Sequence, residues 1–232
     1  MSFSTATPEV QPRYRQLFTE LENRFKATNL GNDKCPDPER ADQLYLHLTQ
    51  QTDYATSAAR QALIRRLREA LVKSVPIVGV CKPIEAILAI SEVERDEDKD
   101  YTFTREGWQC DEANHERGTG WLQKLYARNT TGTLDLFGAH KDFSWLSKEI
   151  TYGLFLSDRQ VLDDLDTQLV VLPGIMSQNL PKETHWHIRG TRRIGVPQEE
   201  VQVIWDCVQL VAQFFDVKLH KVPTVEAVEY DV

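Results

Sequence analysis

Apolar residues return every three or four positions along most of this chain, and no stretch sustains the strict apolar–polar alternation of a half-buried strand. That period constrains the fold more than any other feature. Tyr14, Leu17, Phe18, Leu21 and Phe25 share one side of a helix over Pro12–Lys26. Ala62, Leu63, Leu67, Ala70 and Leu71 do the same further on, with four arginines facing the other way. Turn-linked strand pairs are absent from the pattern. The predicted fold class is all-α, a bundle of roughly eight to ten helices.

The punctuation predicts the order of elements. A loose arm precedes Pro12. Turn formers crowd the segment from Asn29, and a short helix covers Arg40–Thr49. Ser57 caps the arginine-rich helix. Pro76–Lys82 reads as a short apolar segment, and Pro83 opens the next helix. The charged run Glu92–Asp100 reads as a solvated linker between an N-terminal helical half (residues 1–100) and a second helical domain (101–232). Helices cover Asp111–Tyr126 and Asp142–Leu156, with a loop at 128–139 between them. Pro173-Gly174 is expected to kink or split the apolar segment Val161–Leu180. Pro197 starts a last long helix to about Phe215, and the tail from Asp216 reads as irregular.

Composition excludes several function classes. The net charge of −8 and the pI of about 5.3 argue against nucleic acid or an anionic membrane as partner. No apolar run approaches the roughly 20 residues of a membrane span. The N-terminus carries no hydrophobic signal core, and the final residues AVEYDV form no peroxisomal address. The expected location is cytoplasmic, with mitochondrial and peroxisomal locations left open. The four cysteines (Cys35, Cys81, Cys110 and Cys207) form no C-x-x-C pair, so they read as reduced thiols without finger-type zinc. Trp108, Trp121, Trp145 and Trp205 read as core or interface residues.

The chemistry concentrates in Pro181–Gly195, PKETHWHIRGTRRIG. Pro181 suits the first helical position and Gly195 the residue past the end, with Arg192 and Arg193 in the last turn. Residues four apart share a face, so Glu183 and His187 stack on one stripe while His185 and Arg189 lie on another. A carboxylate beside an imidazole orients the ring and raises its basicity, as a general base requires. The same pair also reads as an exposed salt bridge, or as two metal ligands awaiting His140 or His115 as a third. Gly190, which costs roughly 1 kcal/mol against alanine in mid-helix, predicts a close approach by a neighbouring helix or ligand. Gly118 and Gly120, in HERGTG, read as a helix–helix contact.

Laid end to end, the last three helices resemble the carboxymuconolactone decarboxylase and AhpD-like superfamily, similar to a two-part branch. The residues that carry the resemblance are His187-Ile-Arg-Gly-Thr-Arg-Arg-Ile-Gly195-Val196, Glu199-Glu200-Val201 and the apolar helix before them. REALVKSVPIVGVCKPIEAILAI is a fainter echo, which would make the protein two related helical units. The resemblance implies an AhpD-like helical bundle, a homo-oligomer, and an acid/base role for His187. It places Glu183 and Leu180 where peroxidase-type members carry cysteines, and Gln168 where they carry a relay glutamate. Thiol peroxidase chemistry needs an attacking and a resolving thiol, and neither is present there. The expected activity is therefore cofactor-free acid/base chemistry on a small carboxylate, lactone or carbonyl metabolite. His187 and Glu183 are the candidate catalytic pair. His185, Trp186, Arg189, Tyr152 and Gln168 are candidate substrate contacts, and Arg189, Arg192 or Arg193 would clamp a carboxylate. The alternative is a non-enzymatic oligomeric scaffold or regulator of the same fold.

Overall fold

A computed structural model describes residues 9–26 and 40–232. Cys35 and most of the turn-rich loop from Asn29 lie outside the described residues. The class is all-α, with no strand among the described residues. In order the elements are α1 (Pro12–Lys26), α2 (Ala41–Thr49), α3 (Ser57–Val78), α4 (Cys81–Val93), α5 (Glu112–Tyr126), α6 (Thr130–Asp135) and α7 (Lys141–Trp145). A π-helix (Leu146–Leu156), α8 (Asp164–Met176), α9 (Pro181–Arg193), α10 (Gln198–Phe214) and α11 (Val225–Val228) complete the chain.

The periodic apolar faces meet as the pattern requires. One cluster gathers Tyr14, Phe18, Leu44, Leu63, Leu172, Ile188, Ile204 and Val208, so α1–α3 share a core with α8–α10. A second, around Trp121, Leu125, Tyr152, Leu156 and Val171, joins α5 and the π-helix to α8. Cys207 is buried in the first cluster. Trp121 is buried, whereas Trp145 is 52 % exposed and belongs to no core.

Several boundaries differ from the sequence expectation. The cap of α3 is Thr56, whose hydroxyl accepts from the Ala59 amide; Ser57 instead donates to the Glu97 carbonyl. Pro76 lies inside α3, and only Gly79 and Val80 separate it from α4. Pro83 therefore sits in the first turn of α4 rather than opening it, where no amide donor is needed. Pro173 is likewise accommodated within an unbroken α8.

The charged run 92–100 is part solvated and part anchored: Glu92, Arg95, Asp96 and Glu97 are exposed. Asp98 is fully buried against Arg60 (2.6 Å), and Asp100 binds Arg65 and Arg68 of α3. Arg66 of the same helix pairs with Asp166 of α8 at 2.9 Å. The polar side of α3 is thus a row of ion-pair partners. Residues 127–135 are short helical turns rather than loop. The tail is irregular over 216–224 as expected, then forms α11, capped by Thr224, and a 3₁₀ turn at Glu229–Asp231.

Two features position the site. Gly118 lets α5 touch the π-helix backbone to backbone: a Cβ there would run into the Lys148 carbonyl oxygen and lie 2.8 Å from the Gly153 amide nitrogen. Gly190 allows a similar approach at α9, where an added Cβ would meet Leu125 at 3.3 Å. Gly120, by contrast, faces open space and makes no such contact.

Candidate functional site

His187 points from α9 into the junction of α5, α8 and the π-helix and is 4 % exposed. The Tyr152 hydroxyl donates to Tyr126 at 3.2 Å, and His187 Nε2 lies 3.4 Å from the Tyr152 oxygen. Both hydroxyls can rotate, so these contacts are compatible with hydrogen on either ring nitrogen of His187. Nδ1 is buried and has no protein partner. Burial, with help from the Arg189 charge, pushes the imidazole pKa down to about 4. The ring is neutral at physiological pH and fully in its base form.

The two phenols are protonated at the same pH. Burial raises Tyr126 to about 12 and Tyr152 well above its usual value, and the Glu183 carboxylate acts on both in the same direction. Trp186 packs edge-on against Tyr126 at 6.0 Å, with Lys182 over its ring. The π-helix is what brings Tyr152 here. It gives the segment i→i+5 spacing, a geometry that recurs at functional sites.

The Glu183–His187 pair expected from spacing is not formed. Among the described residues no hydrogen bond or ion pair joins them, and Glu183 acts instead through its charge on the tyrosines. Its carboxyl is pushed up by burial, with Lys182 opposing. Gln168 is 1 % exposed and donates to Thr191, whose hydroxyl donates to the His187 carbonyl. It braces the backbone beneath the ring rather than touching the ring.

His185 and Arg189 face elsewhere, as their stripe predicts. Both bind the Asp231 carboxylate, His185 at 3.0 Å. Burial raises the Asp231 carboxyl, but the hydrogen bonds from His185 and Arg189 outweigh it and hold the pKa below its ordinary value. Arg192 forms a two-point pair with Glu229 at 3.0 and 2.6 Å. Arg193 donates to the carbonyls of Tyr126 and Asp231 and to Asn129. Both of these arginines are committed to holding the tail, which removes them as carboxylate clamps.

The expected third metal ligands do not assemble. His115 pairs with Glu149 at 2.6 Å and His140 is exposed, and no group of three or more metal-ligating side chains occurs among the described residues. An open cleft of about 500 Å³ lies beyond the C-terminal end of α9, lined by Arg159, Asp163, Asp164, Ile194, Pro197 and Glu200. It includes neither His187 nor Tyr152. No helix among the described residues is long and apolar enough to cross a membrane.

Among known proteins, the chain is 27 % identical over 137 residues to Peroxisomal protein 2 of Schizosaccharomyces pombe, covering 59 % of this chain. The match spans 63 % of that protein's length, less than two thirds. No family model and no solved structure matches.

Sequence reasoning misses Tyr126, Glu229 and Asp231. Tyr126 stands at the expected helix end, a position that carries no mark of chemistry. The tail residues have a usable signal: Thr224 three residues before Ala227, Val225 and Val228 on one side, and acids afterwards to match the arginines of α9.

Proposed function

We propose that the protein is a cofactor-free acid/base enzyme that moves a proton on a small carboxylate, lactone or carbonyl metabolite. The observation that carries this reading is the buried imidazole of His187: neutral, with Nε2 beside the Tyr152 hydroxyl and an Nδ1 that no protein group engages. A buried ring nitrogen without a partner costs on the order of 1–3 kcal/mol, and a reacting substrate group would supply one. In this reading Nδ1 takes the proton. The imidazolium then forms in contact with Tyr152, which passes hydrogen bonding on to Tyr126. Glu183 acts on the phenols through its field rather than on the ring. Decarboxylation, lactone opening and isomerisation all suit one neutral base in an enclosed site.

The test is exchange in heavy water. β-Oxo acids and γ-carboxy-γ-lactones are incubated with the protein and followed by proton NMR. Wild type is expected to deuterate or convert at least one, and His187→Ala to lose about 100-fold or more of that rate. An unchanged rate in His187→Ala would sink the assignment.

A second reading, a homo-oligomeric scaffold, has its own observation. Val80, Ile84 and Leu88 form one outward stripe on α4 at 50 %, 48 % and 54 % exposure. Ultracentrifugation of wild type against Ile84→Glu checks it, and an equally monomeric pair removes it. For location, the name of the fission-yeast relative favours a peroxisomal compartment over the expected cytoplasm; imaging of a fluorescent fusion decides between them.

A further inference from the structure

We infer that the Nε–Nη2 edge of Arg189 is a binding point for the carboxylate of an anionic substrate. This rests on the proton-transfer reading above and narrows its substrate class.

Arg189 is 3 % exposed, yet only Nη1 of its guanidinium has a partner, the Asp231 carboxylate. Nε and Nη2 are both buried and both unpartnered. These two donors form one side of the planar fork, the side that meets both oxygens of a carboxylate at once. A buried guanidinium with that side unused is costly for a folded protein to keep, since donors removed from water need acceptors. Its neighbours on α9 show the contrast. Arg192 has acceptors for Nε, Nη1 and Nη2 alike, and both terminal nitrogens of Arg193 are engaged.

The surrounding charge favours an anion. Arg128, Arg189 and Arg193 converge around the single residue Asp231. The crowding is felt at Arg193, whose pKa is lowered by burial and then by Arg189 and Arg128. An incoming carboxylate would relieve it. Arg189 also reaches the reacting group through its field, because its charge is one of the two causes that hold His187 unprotonated. An anion seated on Arg189 would cancel that influence and leave the imidazole a stronger base only when substrate is bound. The groups acting on or touching His187 are Arg189 on its own helix, Tyr126 on α5 and Tyr152 on the π-helix.

The experiment measures binding before chemistry. Acetate, levulinate and benzoate are titrated into the full chain by calorimetry, beside their neutral amides and inorganic phosphate. Wild type is expected to bind at least one carboxylate and not its amide. Arg189→Lys, which keeps the charge but loses the fork, should weaken that binding about tenfold or more. Asp231→Asn leaves Arg189 in place and removes its competing anion, so it should tighten binding severalfold; its partly exposed position makes it the safer variant should Arg189→Lys fail to fold. Retained affinity in a folded Arg189→Lys, no tightening in Asp231→Asn, preference for phosphate, or no carboxylate binding at all would each overturn the subsite. If the carboxylate binds as expected but no substrate exchanges protons, the subsite stands and the proton-transfer reading falls.

Discussion

At the scale of single residues, His187 contacts Tyr152 rather than the Glu183 that helical spacing offers it. Spacing places the carboxylate and the imidazole on one stripe, and that part is correct. What spacing cannot reveal is which side chain from another helix arrives first, and here a phenol from the π-helix takes Nε2. Tyr152→Phe should therefore slow proton exchange by about tenfold or more while the melting temperature moves by only a few degrees. Matched thermal melts and exchange rates check this; a full-speed variant would show the hydroxyl to be a bystander. The imidazole also makes a stability prediction. Its folded pKa of about 4 lies below the ordinary 6.5, so the unfolded chain binds more protons between those values. Stability is then complete above pH 6.5 and declines as pH falls towards 4. Urea titrations at successive pH values should show this slope, and His187→Gln should flatten it.

At the scale of elements, the helices are legible because each buries a stripe, and the errors come from prolines and from the tail. Pro76 and Pro173 read as breaks, but tertiary packing outweighs local preference when a helix is held on both sides. Gly174 beside Pro173 packs directly on Ile77, which shows the neighbour that holds it. The contact between α5 and the π-helix yields a paired prediction. Gly118→Ala drives a methyl into the Lys148 carbonyl and should destabilise by about 1–3 kcal/mol or more. Gly120→Ala, two residues on and facing open space, should stabilise by about 0.5–1 kcal/mol. Denaturant midpoints of the two variants measured side by side decide it. Equal effects would mean that helix propensity, not contact, governs this segment.

Across the whole molecule, ion pairs between distant segments hold what the apolar clusters do not. Lys73 of α3 is wholly buried and donates to the carbonyls of Leu156 and Asp158 and to the Thr167 hydroxyl. It thereby joins α3, the end of the π-helix and α8. Burial pushes its pKa down to about 7, so stability should rise with pH from about 7 towards 10.5 as the cost of a buried charge is removed. Lys73→Met removes one donor from all three groups while Arg159 still donates to the two carbonyls, and it should cost about 1–3 kcal/mol, measured by chemical denaturation. None of this is visible in the sequence, because a lone lysine in an amphipathic helix reads as surface. Asp98 and Asp100 in the charged run at 92–100 mislead for the same reason. Charge density signals solvent only when no opposite charge is waiting, and α3 supplies Arg60, Arg65 and Arg68.

The π-helix at Leu146–Leu156 has a consequence for how such chains can change length. Loss of a single residue from this segment would turn the helix before the cut by about 100° relative to the helix after it. Tyr152 and Gly153 are neighbours in the chain, so a shift on their side of the cut would carry Tyr152 off the imidazole and Gly153 off Asn114 together. A deletion that a loop would absorb silently would here rearrange the surroundings of His187. Among related chains, the number of residues between the positions of Lys148 and Asp158 should therefore sort those that keep a tyrosine on the histidine from those that do not.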